Sequence, residues 1–220
     1  MLKSFVIRTG RYTTAQKKAY ELFSDGFLIP FSQDFIDFEK IFYNKNDITL
    51  EIGFGSGTAT AEIAQANQNK NYLGIEVHRP GIGRLLWEIE KRKLSNIRII
   101  EHDAADVIEK MIPQGSLEAV HVFFPDPWPK KKHRKRRLIQ KPFTEMLSDL
   151  LKENGYFYMV TDWEDYALHA LDELKNSRGL KNAYKDFAEK RTWRPKTKFE
   201  EKGLAKDYTI RELFFLRETL

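Results

Sequence analysis

From residue 48 to residue 176, short apolar runs alternate with longer stretches of helical period, and that rhythm restricts the chain to very few folds. Strands are predicted over 48–52, 72–77, 97–101, 117–124 and 155–161. Helices are predicted over 57–67, 80–93, 104–111, 138–152 and 163–176. The period is plain in 138–152, where Leu138, Phe143, Met146, Leu147, Leu150 and Leu151 make one stripe. Such alternation implies an α/β fold, a mostly parallel sheet with helices on both faces. Sheets of this kind bind ligands beyond the carboxyl ends of their strands. The flanks read differently. Residues 1–25 lack a periodic apolar pattern and are expected to form a partly ordered arm, with 34–43 a short helix capped by Asp34. The chain thus divides into an arm over 1–33 and a domain over 34–220. Near the C-terminus, 190–206 is charged, carries Pro195 and Gly203, and reads as a loop. The apolar run at 208–217 then predicts a closing strand, antiparallel because no crossover helix precedes it.

Charge is concentrated in one place. Seven of the eight residues from Lys130 to Arg137 are Lys or Arg, and without them a net charge of +5 would become −2. A local strip focuses its field where a polyanion can dock, whereas the bland reading is a solvated loop. The chain has no cysteine, so disulfides, thiolate metal sites and cysteine nucleophiles are excluded. The five histidines (78, 102, 121, 133 and 169) show no ligand spacing, and no metal is expected. No apolar stretch approaches the ~18 residues of a membrane span. The first residues, interrupted by Arg8 and Arg11, do not make a signal peptide, so a cytoplasmic location is expected.

The first predicted strand ends in Leu50-Glu51-Ile52-Gly53-Phe54-Gly55-Ser56-Gly57. Glycines let a backbone turn tightly against a ligand, and the following helix offers free N–H groups. The dinucleotide pattern Gly-x-Gly-x-x-Gly/Ala fits in neither frame, because its last position falls on Thr58 or Thr60. The pattern Glu-x-Gly-x-Gly-x-Gly instead resembles the first motif of Rossmann-like, S-adenosylmethionine-dependent methyltransferases. Glu76 ends the second strand, where a carboxylate would accept both ribose hydroxyls. Asp103, followed by Ala104, comes just after the third, where its carboxylate or the neighbouring backbone would meet the adenine amino group. Glu51, beneath the glycine turn, would face the methionine ammonium. Taken singly each acid also reads as a cap or surface residue, and Asp103 can N-cap the next helix. Three acids at three successive strand ends, with the glycine turn, point to a nucleoside cofactor.

The fourth strand runs into Pro125-Asp126-Pro127-Trp128 and then the basic strip. A related Asp/Asn-Pro-Pro-aromatic turn serves enzymes that methylate exocyclic amino groups; here Trp128 replaces the second proline. Trp128 reads equally as a base-stacking ring and as a structural turn aromatic. Trp87 and Trp163 read as packing residues.

Taken together, these segments resemble the bacterial tRNA (guanine-N7-)-methyltransferases, and the likeness covers nearly the whole chain. It includes Ser4-Phe5-Val6 with Gly10-Arg11-Tyr12-Thr13, Glu51-Ile52-Gly53-Phe54-Gly55, and Gly74-Ile75-Glu76-Val77-His78. It continues through Phe123-Phe124-Pro125-Asp126-Pro127-Trp128, Thr161-Asp162-Trp163, and Arg194-Pro195 followed by Thr197-Lys198-Phe199-Glu200. The resemblance implies S-adenosylmethionine held among Glu51, Gly53, Gly55, Gly57, Glu76, Asp103, Ala104 and Asp126, with Asp126 catalytic. It implies substrate contacts at Lys130, Asp162, Thr197, Lys198, Phe199 and Glu200. RNA contacts fall on Lys132, His133, Arg134, Lys135, Arg136 and Arg137. The implied target is a guanine of the tRNA variable loop. Competing readings are a methyltransferase acting on an exocyclic amine of RNA and a non-catalytic RNA-binding module. About six phosphate contacts would weaken binding on the order of 10³-fold between 50 and 200 mM salt.

Overall fold

The computed structural model describes residues 12–218. Ser4-Phe5-Val6 and Gly10-Arg11 of the family-like N-terminal segment lie outside them. The described chain clusters into two compact units, one holding residues 12–113 with 193–195 and the other 114–192 with 196–218.

The first unit opens on helix α1 (Thr14–Phe27). The arm expected over 1–25 is therefore helical from Thr14 onward. Its start is fixed by a capping box: Thr13 Oγ1 accepts the Gln16 amide while Gln16 Oε1 accepts the Thr13 amide. The short helix α2 (Phe38–Phe42) is capped by Asp37 rather than Asp34, through a 3.2 Å bond from the Lys40 amide. Then strand and helix alternate as expected: β1 (Ile48–Ile52), α3 (Thr58–Ala66), β2 (Asn71–Ile75), α4 (Arg79–Arg92), β3 (Ile97–Ile100) and α5 (Ala104–Met111). β1 pairs in parallel with β2, and β2 with β3. Every residue of β1 and β2 is buried, which is why these strands read as unbroken runs rather than alternating ones. Tyr20 of α1 donates its hydroxyl to Glu101, just past β3, and the same carboxylate takes Arg79 Nε at 2.6 Å.

The second unit carries β4 (Leu117–Phe123), α6 (Phe143–Leu150), β5 (Leu151–Thr161), α7 (Glu164–Lys175), β6 (Leu180–Asn182), α8 (Lys198–Leu204) and β7 (Arg211–Arg217). β4 and β5 are parallel, while β7 is antiparallel to both β5 and β6. The strands of the first unit are parallel and those of the second mixed, with antiparallel C-terminal strands, the α/β class expected. Two expectations need correction, and one element was not foreseen. The helix predicted over 138–152 is only Phe143–Leu150, because 138–142 runs through bends and a turn in which Leu138 and Ile139 are buried and Pro142 sits at the N-cap. The loop over 190–206 contains α8, capped by Thr197 accepting the Glu200 amide at 3.1 Å. The three-residue β6 gave no periodic signal.

On α4, a Cβ at Gly83 would lie 2.4 Å from the Gln16 carbonyl oxygen of α1. Alanine ordinarily gains up to about 1 kcal/mol over glycine inside a helix. Here Gly83→Ala should instead cost about 1–3 kcal/mol by forcing the helices apart. Urea unfolding of the two proteins measures the sign; a stabilised variant would mean α1 does not pack there.

Candidate functional site

At the end of β1 the chain turns through Gly53, Gly55 and Gly57, with φ of 73°, 58° and 65°. These left-handed values suit glycine, and a Cβ at Gly53 or Gly55 would point into space free of protein atoms. A carboxylate fixes the turn from β2. Glu76 Oε2 accepts the Gly55 amide at 2.8 Å, while Oε1 accepts the amides of Val77 and His78 at 2.7 and 3.1 Å. A carboxylate offers about four acceptor positions, so three amides leave room for a hydroxyl donor. From the other side α4 presses on the turn, and a Cβ at Gly81 would stand 2.0 Å from the Gly55 carbonyl oxygen.

Below the turn Glu51 is buried, at 3% exposure. Burial pushes its carboxyl up to about 7, opposed by the Thr60 hydroxyl and reinforced by the Glu76 charge. Thr60 Oγ1 is itself buried and meets no partner at hydrogen-bonding geometry among the described residues. A buried acid with a hydroxyl beside it is a place where a cationic donor would be held. Asp103 caps α5, its Oδ1 accepting the Ala105 amide at 3.0 Å, and Ala104 is buried behind it. Capping thus occupies one oxygen of Asp103. The Glu76 amide bonds to the Ile100 carbonyl at 3.1 Å, so Glu76 leaves β2 beside the end of β3, three residues before Asp103. Sequence reading missed Phe31, which stacks on His102 with ring centroids 3.8 Å apart.

In the other unit β4 ends at Phe123, and Phe124 (φ 51°) bonds its amide to the Val160 carbonyl at 2.7 Å. Trp128, four residues on, has φ 45°. Two bulky residues in the left-handed region cost of order 1–3 kcal/mol each and mark a turn that its surroundings over-determine. Asp126, between them, is exposed. Trp128 is half-buried, with the Arg136 guanidinium 5.0 Å over its ring and His133 edge-on at 5.9 Å. Its ring is thereby held as part of the turn.

Asp162, after β5, is half-buried against α8, where a Gly203 Cβ would stand 3.0 Å from its carboxylate. On α8 itself Phe199 is 58% exposed and stacks on Phe124 at 6.2 Å, while Lys198 is exposed. Thr197 is engaged in capping. Glu200 is buried and paired with Lys190 at 2.7 Å.

The basic strip folds as a 3₁₀ stretch, Lys131–Arg136. Lys130, Lys131, Lys132 and Lys135 are exposed. Arg134 is exposed as well but pairs with Asp165 at 2.9 Å. Partial desolvation and the surrounding cations, Lys132 first, hold the His133 imidazole below its ordinary value. Arg137 differs from the exposed lysines of the run. It is buried, its Nε donates to the Pro127 carbonyl at 3.0 Å and its Nη2 pairs with Asp165. Among the described residues no cluster of His, Cys, Asp and Glu is placed to hold a metal, and no helix is long and apolar enough to cross a membrane.

Residues 45–213 match the model of a family described as "Putative methyltransferase". A tRNA (guanine-N(7)-)-methyltransferase of Nitrosomonas europaea is 46% identical over 98% of this chain and 96% of its own length. The enzyme of the same name from Francisella tularensis subsp. novicida is 44% identical over 97% and 94%. Among solved structures, the 16S rRNA methyltransferase KamB superposes with a TM-score of 0.60 at 15% identity, over 85% of this chain and 96% of its own. A methyltransferase from Pyrococcus furiosus gives 0.57 at 16% identity, over 83% and 80%. The last two likenesses concern the fold alone.

Glu51 carries a measurable signature. Its carboxyl titrates at its usual 4.5 in the unfolded chain and at about 7 in the folded one. Protonated in both states at low pH, it costs nothing there; as pH rises it withdraws stability, to about 3 kcal/mol above pH 7. Glu51→Gln should therefore lose about 2 kcal/mol less unfolding free energy than the parent between pH 5 and 8. Identical pH slopes in urea titrations would mean that Glu51 is not buried as described.

Proposed function

The chain belongs to the tRNA (guanine-N(7)-)-methyltransferase family, and on that footing we propose that it methylates N7 of a guanine in tRNA, in the variable loop, using S-adenosylmethionine. The observation that carries the reading is the buried Glu51 carboxyl with the Thr60 hydroxyl beside it beneath an open glycine turn. S-adenosylmethionine, when bound, supplies an electrophilic methyl group on a sulfonium centre. Ionised Glu51 and the Thr60 hydroxyl would hold its ammonium, and Glu76 a ribose hydroxyl. Asp103 and Ala104 would meet the adenine. The turn at Gly53 and Gly55 leaves space for close approach of the backbone.

Guanine N7 carries a lone pair and no proton, so the acceptor needs orientation rather than a general base. Asp126, exposed at the end of β4, would orient the base and balance the positive charge that its imidazole ring acquires. Guanine presents donors at N1–H and the 2-amino group, which suit the half-buried Asp162 better than Glu200, already paired with Lys190. The exposed Phe199, backed by Phe124, offers a ring for stacking. Lys130, Lys131, Lys132 and Lys135 would follow the ribose-phosphate chain, supported by Arg134 and Arg136.

Asp126→Ala should lower kcat on the order of 10²-fold with little change in tRNA affinity. Wild-type turnover by that variant would remove Asp126 from the mechanism. With about four lysines meeting phosphates, tRNA affinity should fall on the order of 10²-fold between 50 and 200 mM salt. Filter binding across that range measures it, and a flat response would contradict the role of the strip.

A further inference from the structure

The turn that presents Asp126 is poorly equipped to hold itself. Pro125, Pro127 and Pro129 supply no amide donors, and Phe124 and Trp128 both sit at positive φ. Its conformation has to be imposed from outside.

The side chain of Arg137, only 1% exposed, is built to do this. Nε donates to the Pro127 carbonyl at 3.0 Å, immediately after Asp126. Nη2 pairs with Asp165 Oδ2 on the first turn of α7, and the guanidinium lies 4.9 Å over the Tyr166 ring. Tyr166 is fully buried and its hydroxyl accepts the Ile139 amide at 3.1 Å, which fixes the chain two residues past Arg137. The second oxygen of Asp165 takes Arg134 Nη2 at 2.9 Å. One carboxylate therefore holds two cations of the basic run, and one of those cations holds the proline turn.

We infer that Arg137 and Asp165 are positioning residues, which lock the Asp126 turn and the 3₁₀ basic run into a single geometry from the N-terminal turn of α7. Arg137 is then not a phosphate contact, although it lies in the same run as the lysines. The guanidinium is needed for its fork: it serves a carbonyl and a carboxylate at once along different N–H directions, which an ammonium at the end of a flexible stem does not reproduce. The bracket also explains why a strip of like charge adopts a defined 3₁₀ form, since Asp165 offsets part of its self-repulsion.

The inference deepens the methyltransferase reading, and the test separates the two. Full-length Arg137→Lys and Arg137→Met are compared with the parent in three ways: steady-state methylation of unmodified tRNA, the salt dependence of tRNA binding, and hydrogen exchange of residues 123–136 by mass spectrometry. In both variants kcat should fall on the order of 10²-fold, because the reacting base is held less well, while KM for S-adenosylmethionine stays within about twofold. Exchange in 123–136 should accelerate, and the salt slope should match the parent. A salt slope reduced by about one in Arg137→Met, with full activity in Arg137→Lys, would overturn the inference and make Arg137 a phosphate contact. Unchanged exchange in both variants would overturn it as well. Arg137→Lys keeps the charge beside Asp165, so this arm stands even if the methionine variant fails to fold. Should the parent transfer no methyl to tRNA, the functional reading fails, and the exchange arm still decides the bracket.

Discussion

A carboxylate gripped by three backbone amides fixes the glycine turn on which the proposed cofactor site depends. Strands that leave a sheet carry amide and carbonyl groups that must find partners, and here Glu76 collects the amides of Gly55, Val77 and His78 at the end of β2. The glycine turn after β1 is thereby tied to the neighbouring strand, and α4 closes on it at the distance Gly81 allows. The second unit solves the same problem with the opposite charge. There Arg137 takes a carbonyl of the proline turn and anchors it to Asp165. In both cases one ionic side chain shapes a loop at a strand end.

That arrangement sets where stability is given up. Glu51 is kept in an environment that disfavours its charge, and Phe124 and Trp128 are kept in a backbone region that disfavours their side chains. Each is a local cost borne by the surrounding core. A cation arriving beside Glu51 relieves the first. The second keeps Asp126 exposed at the strand end instead of folding it back.

The sheet was legible because continuous apolar runs and 3.6-residue stripes are long signals. β1 and α5 match their expected bounds residue for residue, and most other elements differ by one to three positions. Short elements were lost where capping decides them. α1 and α8 begin at Thr13-x-x-Gln16 and Thr197-x-x-Glu200, patterns that can be read as caps but that charged surroundings obscured. The acids at the strand ends were found by position, and their burial was not. Nothing in the sequence separates the buried, paired Glu200 from the half-buried Asp162, or the enclosed Arg137 from the exposed lysines that precede it. A run of identical charges looks uniform in sequence; only the approach of α7 divides it into cations that face solvent and one that faces the core.

The central claim is that a nucleoside-type site with a buried acid serves alkylation of a ring nitrogen that needs no base. It is tested most directly by incubating the protein with unmodified tRNA and isotopically labelled S-adenosylmethionine, digesting the RNA, and identifying the labelled nucleoside by mass spectrometry. The account predicts a single product, N7-methylguanosine, which carries a fixed positive charge on its base. Label recovered on an exocyclic amino group, or none recovered in RNA, would contradict it.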